Sequence, residues 1–220
     1  MNPILPRAIP FGAFIAFIVA SGPLESAAAS LGMDHRWWYG IRVLVVALLL
    51  AWFWRTYGEL RSVAGVRAFD WLLSVAVGVV IFVLWINLDF WPLTLGPAPG
   101  FDPRTDGAID WSLVAVRIAG AALLVPVMEE LFWRSFVMRW IQNHDFLAVE
   151  PRQLGWKALG ISSVIFGLEH HLWFAGVLAG LAYGWVYMRT GNLWAPIASH
   201  AVTNALLGAW VLYTGRWEFW

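Results

Sequence analysis

Glu129-Glu130-Leu131-Phe132-Trp133-Arg134 lies inside an apolar run that extends from Trp111 to Trp140. A charged side chain in hydrocarbon costs roughly 2.5–3.5 kcal/mol on insertion scales, so each of these needs a physical reason to be there. On a helix Glu130 and Arg134 are four residues apart and share a face, which predicts an ion pair that fixes helix packing. Glu129 points about 100° away from Glu130, toward a different neighbour, and Trp133 rather than a base stands four residues after it. Pro126 removes a backbone donor just before the pair and loosens the helix there. Two further polar groups close or interrupt apolar runs. Phe166-Gly167-Leu168-Glu169-His170 ends one, and His200-Ala201-Val202-Thr203-Asn204 puts His200 and Asn204 on one helix face of another. Taken singly, His170 or His171 reads as a headgroup histidine, and His200 with Asn204 as an interhelical hydrogen-bond contact. Taken together they hold the groups that hydrolysis needs. A carboxylate with a histidine activates water, and histidine and amide donors stabilise an oxyanion.

The elements that must position these groups follow from composition. Of 220 residues 60% are hydrophobic and 13% charged, against about 25% charged in soluble domains. This excludes a soluble globular enzyme and puts the chain in a bilayer. The net charge of zero gives no reason to expect a nucleic-acid partner. The absence of cysteine excludes disulfides, thiolate metal ligands and a cysteine nucleophile. Apolar runs cover Phe11–Ala29, Trp37–Trp54, Trp71–Leu88, Trp111–Trp140, Trp156–His170, Trp173–Met188 and Leu193–Tyr213. A spanning helix takes roughly 17–25 residues, so the chain is expected to be an all-α, polytopic transmembrane bundle of about seven spans. Ser21-Gly22-Pro23 interrupts the first run, while Pro6 and Pro10 fit a retained first span better than a cleaved signal peptide. Most of the 17 tryptophans sit near run ends, as interfacial anchors do. The acidic, Pro/Gly-rich stretch Asp89–Asp110 reads as coil. No repeat or long linker divides residues 1–220, which form one integral-membrane domain.

Orientation follows from arginine and lysine placement. With the N-terminus inside, inner segments hold Arg7, Arg55, Arg61, Arg67, Arg139, Arg152, Lys157 and Arg189, against Arg36, Arg104 and Arg216 outside. This predicts an inner membrane protein with its N-terminus in the cytoplasm and its C-terminus outside. Arg42 and Arg117 lie close inside outer ends, where long side chains snorkel. At 1.5 Å per residue, Glu129 lies roughly 27 Å from the outer start of its run and His200 about 10 Å from the inner start of its own. Both suit a site opening to the cytoplasm, whereas His170 falls at an outer end. Gly176, Gly180 and Gly184 recur every four residues, the pattern of close helix packing.

The order Glu-Glu-x-x-x-Arg (Glu129, Glu130, Arg134), Phe-x-x-x-His (Phe166, His170) and His-x-x-x-Asn (His200, Asn204) resembles the CPBP family of intramembrane proteases. That family includes CAAX prenyl endopeptidases of the Rce1 type and bacterial relatives. The resemblance covers about 114–212, the family's catalytic core, and includes the approach Gly191-Asn192-Leu193-Trp194-Ala195-Pro196. Glu169-His170-His171 departs from the family's single histidine after an apolar residue, and Phe166 sets the register on His170. The resemblance implies an intramembrane endopeptidase acting on a membrane-associated protein or peptide. Glu129 would be the base, His170 would hold the water, His200 and Asn204 would form the oxyanion hole, and Glu130 with Arg134 would orient Glu129. It leaves open a metal-dependent or a metal-free route. Glu129, His170 and His200 are the ligands Zn²⁺ would use, but His-Glu-x-x-His is absent, which favours the metal-free one. Some bacterial members accompany exosortase-type sorting systems, a setting that the Trp-rich amino-terminal half suits. Two alternatives from other classes are a non-proteolytic membrane scaffold or immunity-type protein, and a proton-coupled transporter. The latter usually shows repeat symmetry, which is not visible in this sequence.

Overall fold

A computed structural model describes residues 2–30, 32, 34–63, 65–96 and 100–220. The chain is an all-α membrane bundle: α1 (Leu5–Val19), α2 (Ser21–Ser30), α3 (Trp38–Phe53), α4 (Ala68–Asn87), α5 (Trp111–Gln142), α6 (Trp156–Leu168), α7 (Trp173–Thr190) and α8 (Trp194–Thr214). Local signals set the ends. Asp110 accepts hydrogen bonds from the backbone N–H of Ser112 and Leu113 and caps α5. Asp70 accepts from the Arg67 N–H at 3.1 Å at the start of α4. Gly191 and Gly215 end α7 and α8 in the left-handed conformation, each at φ +69°.

A helix stands at each of the seven expected runs, but they differ in reach. Among the described residues four helical stretches are long and apolar enough to cross a membrane: His35–Thr56, Ala68–Asn87, Trp111–Gln142 and Trp194–Thr214. Helices α1, with 15 residues, and α6, with 13, are shorter. Helix α7 is not among the four, and its burial gives the reason. Ala175, Gly176, Ala179, Gly180, Tyr183, Gly184, Val186 and Tyr187 are all buried against protein, so α7 does not need a lipid-facing apolar surface. The first run breaks after Val19, one residue before the expected interruption.

Small residues bring the helices close. A Cβ on Gly176 would meet Gly167 Cα at 2.9 Å, and one on Gly180 would meet Ser163 Cα at 2.8 Å. The glycine stripe of α7 is therefore the close contact with α6 that its spacing predicts. Ser162 and Ser163 hydrogen-bond the Leu159 carbonyl within α6. Gly78 does for α4 and α8 what Gly176 does for α6 and α7: a Cβ there would meet the Ser199 carbonyl at 2.5 Å. Thr203 Oγ1 donates to the Gly78 carbonyl across the same gap at 2.9 Å.

The stretch expected as coil contains a small hairpin, β1 (Arg104–Thr105) paired antiparallel with β2 (Ala108–Ile109). Asp106 and Gly107 turn it, at φ +52° and +82°. Asp-Gly is a strong short-range hairpin signal, and composition had masked it. Arg36 ties this hairpin to the start of α3 through the Arg104 carbonyl at 2.7 Å and Thr105 Oγ1 at 2.8 Å. It also holds the Asp34 carboxyl below the usual carboxylate range by hydrogen bonding to it.

At the opposite end of the bundle, Arg7 does more than bias topology. It is buried, grips Glu59 with Nη2 at 2.6 and 2.8 Å, and donates from Nε to Ser135 Oγ of α5 at 2.9 Å. Ser135 Oγ in turn donates to Glu59, and Tyr57 donates to the Pro6 carbonyl at 2.7 Å. Glu59→Gln leaves the Arg7 cation without its counter-charge and is expected to lower stability by about 3–5 kcal/mol. A melt in detergent checks this, with Arg7→Met/Glu59→Leu expected to recover most of the loss.

Candidate active site

Helix α5 is not a uniform α-helix. Two π-helical segments, Gly120–Leu124 and Leu131–Met138, flank the α-helical turns that carry Glu129 and Glu130. In the first, the Val125 N–H bonds the Gly120 carbonyl in the i→i−5 pattern. The next such bond would run from residue 126 to the Ala121 carbonyl, and Pro126 has no N–H to give. Asn204 Nδ2 of α8 donates to that carbonyl instead, at 2.8 Å. One amide N–H of Asn204 thus replaces the bond that Pro126 cannot form and pins α8 to α5 beside the two glutamates. Its second N–H is not committed by this bond.

Glu130 is the centre of the buried polar cluster, with 0% exposure. Its Oε2 lies 3.0 Å from Arg134 Nε, the in-helix pair expected from the i, i+4 spacing, and its Oε1 lies 3.1 Å from His200 Nδ1. A carboxylate only accepts, so Nδ1 is the protonated nitrogen and Nε2 of His200 faces away from Glu130. That Nε2 lies 4.0 Å from Glu129 Oε2, which is buried and has no hydrogen-bond partner among the described residues. Arg134 is fixed by rings and backbone: its Cζ lies 4.7 Å from the centre of the Phe166 ring, and Nη2 donates to the Gly180 carbonyl. Tyr183 stacks on His200 at 5.0 Å and donates to Thr203 Oγ1 at 2.7 Å.

His170 Nδ1 lies 2.8 Å from the Phe166 carbonyl. A carbonyl also only accepts, so His170 Nδ1 is protonated and its Nε2 carries the lone pair. His171 turns the other way, with Nδ1 2.7 Å from the Leu95 carbonyl. His170 is therefore the inward histidine, in the register that Phe166 sets. The depth conflict of the sequence reading disappears because α6 is short: 13 residues rise only ~20 Å, so the turn after it stays within the bundle.

Glu129, His170, His200 and Asn204 line one cavity of about 240 Å³. Its wall also includes Trp85, Tyr183 and Thr203, which sequence reasoning missed. A tyrosine in a glycine-rich helix carries no signal of its own. Glu130 and Arg134 stand behind the cavity wall as the support of His200. The lining continues to Arg117, Leu207, Phe219 and Trp220, toward the end that carries the β1–β2 hairpin and the C-terminal segment. With the N-terminus inside, as expected, this is the outer end of the bundle. Arg117 lies over Tyr39 at 4.3 Å and Phe101 at 5.0 Å.

Among the described residues no three His, Asp or Glu side chains come together as a ligand group. With Nδ1 of each histidine bonded to an acceptor, Nε2 of each stays open, and no step below runs through an ion.

Residues 111–206 match a family model described as type II CAAX prenyl endopeptidase Rce1-like. A Bacillus subtilis (strain 168) protein described as "Putative membrane peptidase YdiL" is 29% identical over 98 residues, covering 43% of this chain and 36% of that protein. The match thus spans little more than a third of that relative's length. No solved structure matches. The matched segment holds Glu129, Glu130, Arg134, Phe166, His170, His200 and Asn204 together, and over it the chain is similar to the Rce1-like family.

Proposed function

We propose that the protein is an intramembrane endopeptidase that hydrolyses a peptide bond of a membrane-associated protein or peptide by a metal-free, glutamate-activated water. The observation that carries this reading is the convergence of Glu129, His170, His200 and Asn204 on one buried cavity. Glu129, with a free carboxylate oxygen, takes a proton from water, and the lone pair on His170 Nε2 accepts a hydrogen bond from the same water. The hydroxide adds to the scissile carbonyl. His200 in its imidazolium form, with Nδ1–H on Glu130, donates Nε2–H to the oxyanion beside the second Asn204 N–H. When the tetrahedral intermediate collapses, the proton held by Glu129 passes to the leaving amine. Arg134 does not touch substrate. It holds Glu130, which holds the His200 ring. The likeness to a protein described as a membrane peptidase supports the same reading.

We place the chain in an inner membrane with the N-terminus cytoplasmic and the cavity mouth outside. The exosortase-type setting rests on the family resemblance alone.

Glu129→Gln keeps the size and removes the base, so it is expected to abolish cleavage while leaving the melt unchanged. His200→Ala is expected to retain weak activity, roughly 10²–10³ below wild type, the range typical of losing one oxyanion donor. Cleavage of a membrane-protein substrate panel by purified variants in detergent checks both, and turnover by Glu129→Gln at the wild-type rate sinks the mechanism. Arg134→Gln leaves Glu130 buried without its cation and is expected to lower stability by about 3–5 kcal/mol as well as activity. A wild-type melt for that variant contradicts its positioning role. For orientation, Asp106→Cys is expected to react with a membrane-impermeant maleimide on intact cells and Ser62→Cys to stay unlabelled. The reverse pattern turns the cavity mouth to the cytoplasm.

A further inference from the structure

Arg117, Ala121, Val125 and Glu129 all line the cavity, at a spacing of four residues over three turns. A uniform α-helix of 3.6 residues per turn would rotate the first of these about 120° away from the last. The π-helical segment Gly120–Leu124 lies between them and widens the turn, which brings all four onto one stripe. The stripe joins the proposed general base to an arginine.

Arg117 has an unusual environment for a cation in this fold. Among the residues that line the cavity it is the one lysine or arginine. Its guanidinium is held against Tyr39 and Phe101, and its buried Nε donates to nothing among the described residues. No salt-bridge partner of Arg117 is found among those residues, whereas Arg7, Arg36, Arg67, Arg104, Arg134, Arg189 and Arg216 each have a carboxylate. It also borders a second, larger cavity of about 820 Å³ toward the same end of the bundle, shared with Arg36, Arg42 and Trp220.

We infer that Arg117 is a specificity-determining residue that binds a carboxylate of the peptide substrate, either an acidic side chain or a free C-terminus. This rests on the peptidase reading above. A carboxylate fits the guanidinium fork in two parallel hydrogen bonds, and it converts an uncompensated, partly desolvated cation into a pair. A neutral peptide leaves that cation unpaired. The stripe also sets the distance. Twelve residues of helix separate Arg117 from Glu129, about 18 Å at 1.5 Å per residue, and an extended peptide covers that in about five residues at 3.3–3.6 Å each. The carboxylate therefore stands about five residues from the scissile bond, toward the cavity mouth. A peptide is favoured over a lipid phosphate because the arginine is on the wall of the hydrolytic cavity itself, in line with the base.

The test uses the full chain in detergent and two probes, a leucine–alanine hexapeptide with a free C-terminal carboxylate and the same peptide as its amide. Calorimetry on the wild type is expected to give binding about tenfold tighter for the acid than for the amide, the scale of one charge-assisted pair. The ratio is expected to persist in Glu129→Gln, fall to about one in Arg117→Gln, and survive in part in Arg117→Lys, which keeps the charge and loses the fork. Equal binding of the two peptides by the wild type overturns the proposal without any variant, as does an unchanged ratio in a folded Arg117→Gln. The measurement is repeated in phosphatidylcholine nanodiscs with and without phosphatidylglycerol. Loss of the ratio in phosphatidylglycerol, with Arg117-dependent retention of that lipid in native mass spectrometry, assigns the position to a lipid phosphate and overturns the peptide proposal. A preserved ratio with no cleavage of any peptide counts against the hydrolytic reading and upholds the anion position.

Discussion

Everything at the site depends on one fully buried carboxylate. Glu130 meets Arg134 within its own helix and His200 from α8, so one side chain sets both the rotamer of the arginine and the orientation of the histidine ring. A buried ion pair of this kind adds little net stability, because desolvation offsets most of the Coulombic gain. What it does provide is direction. With Nδ1 tied to Glu130, the other ring nitrogen of His200 faces Glu129, and the Tyr183 ring stacked on the imidazole limits its rotation.

The same helix departs from regular geometry on both sides of that carboxylate. The π-helical turns and Pro126 leave a carbonyl unsatisfied, and a buried carbonyl without a donor costs about 1–3 kcal/mol. Asn204 fills the vacancy from α8. The irregularity and the interhelical contact are thus one device, and it stands one helical turn from the glutamates. A straight α-helix would need no such contact and would turn Arg117 off the stripe that Glu129 occupies.

What could be read in advance was whatever depends on spacing within one helix. The Glu130–Arg134 pair, the shared face of His200 and Asn204, and the packing of Gly176 and Gly180 all follow from the helical period. The approach of His200 to Glu130 does not, because it joins residues 70 positions apart and depends on how α8 crosses α5. The π-helical segments have no sequence signature beyond Pro126. The aromatic faces over Arg117 do not follow either, because depth along a run says nothing about which rings fold over the side chain. The Asp106-Gly107 turn was legible, but the surrounding proline and glycine made the segment look featureless.

The brevity of α6 also bears on the surrounding lipid. Its outward residues Ile161, Val164, Ile165 and Leu168 are exposed and apolar, yet its 13 residues cover only ~20 Å, against a hydrocarbon layer of about 30 Å. This is hydrophobic mismatch, and a bilayer answers it by thinning locally. The backbone of residues 92–95 lies over the α6–α7 turn, where the Leu95 N–H donates to the His171 carbonyl at 2.7 Å and Trp173 Nε1 to the Pro92 carbonyl at 3.0 Å. Polar backbone therefore occupies a level that acyl chains fill elsewhere around the bundle. The apolar layer along this flank is correspondingly shallower than along the longer helices.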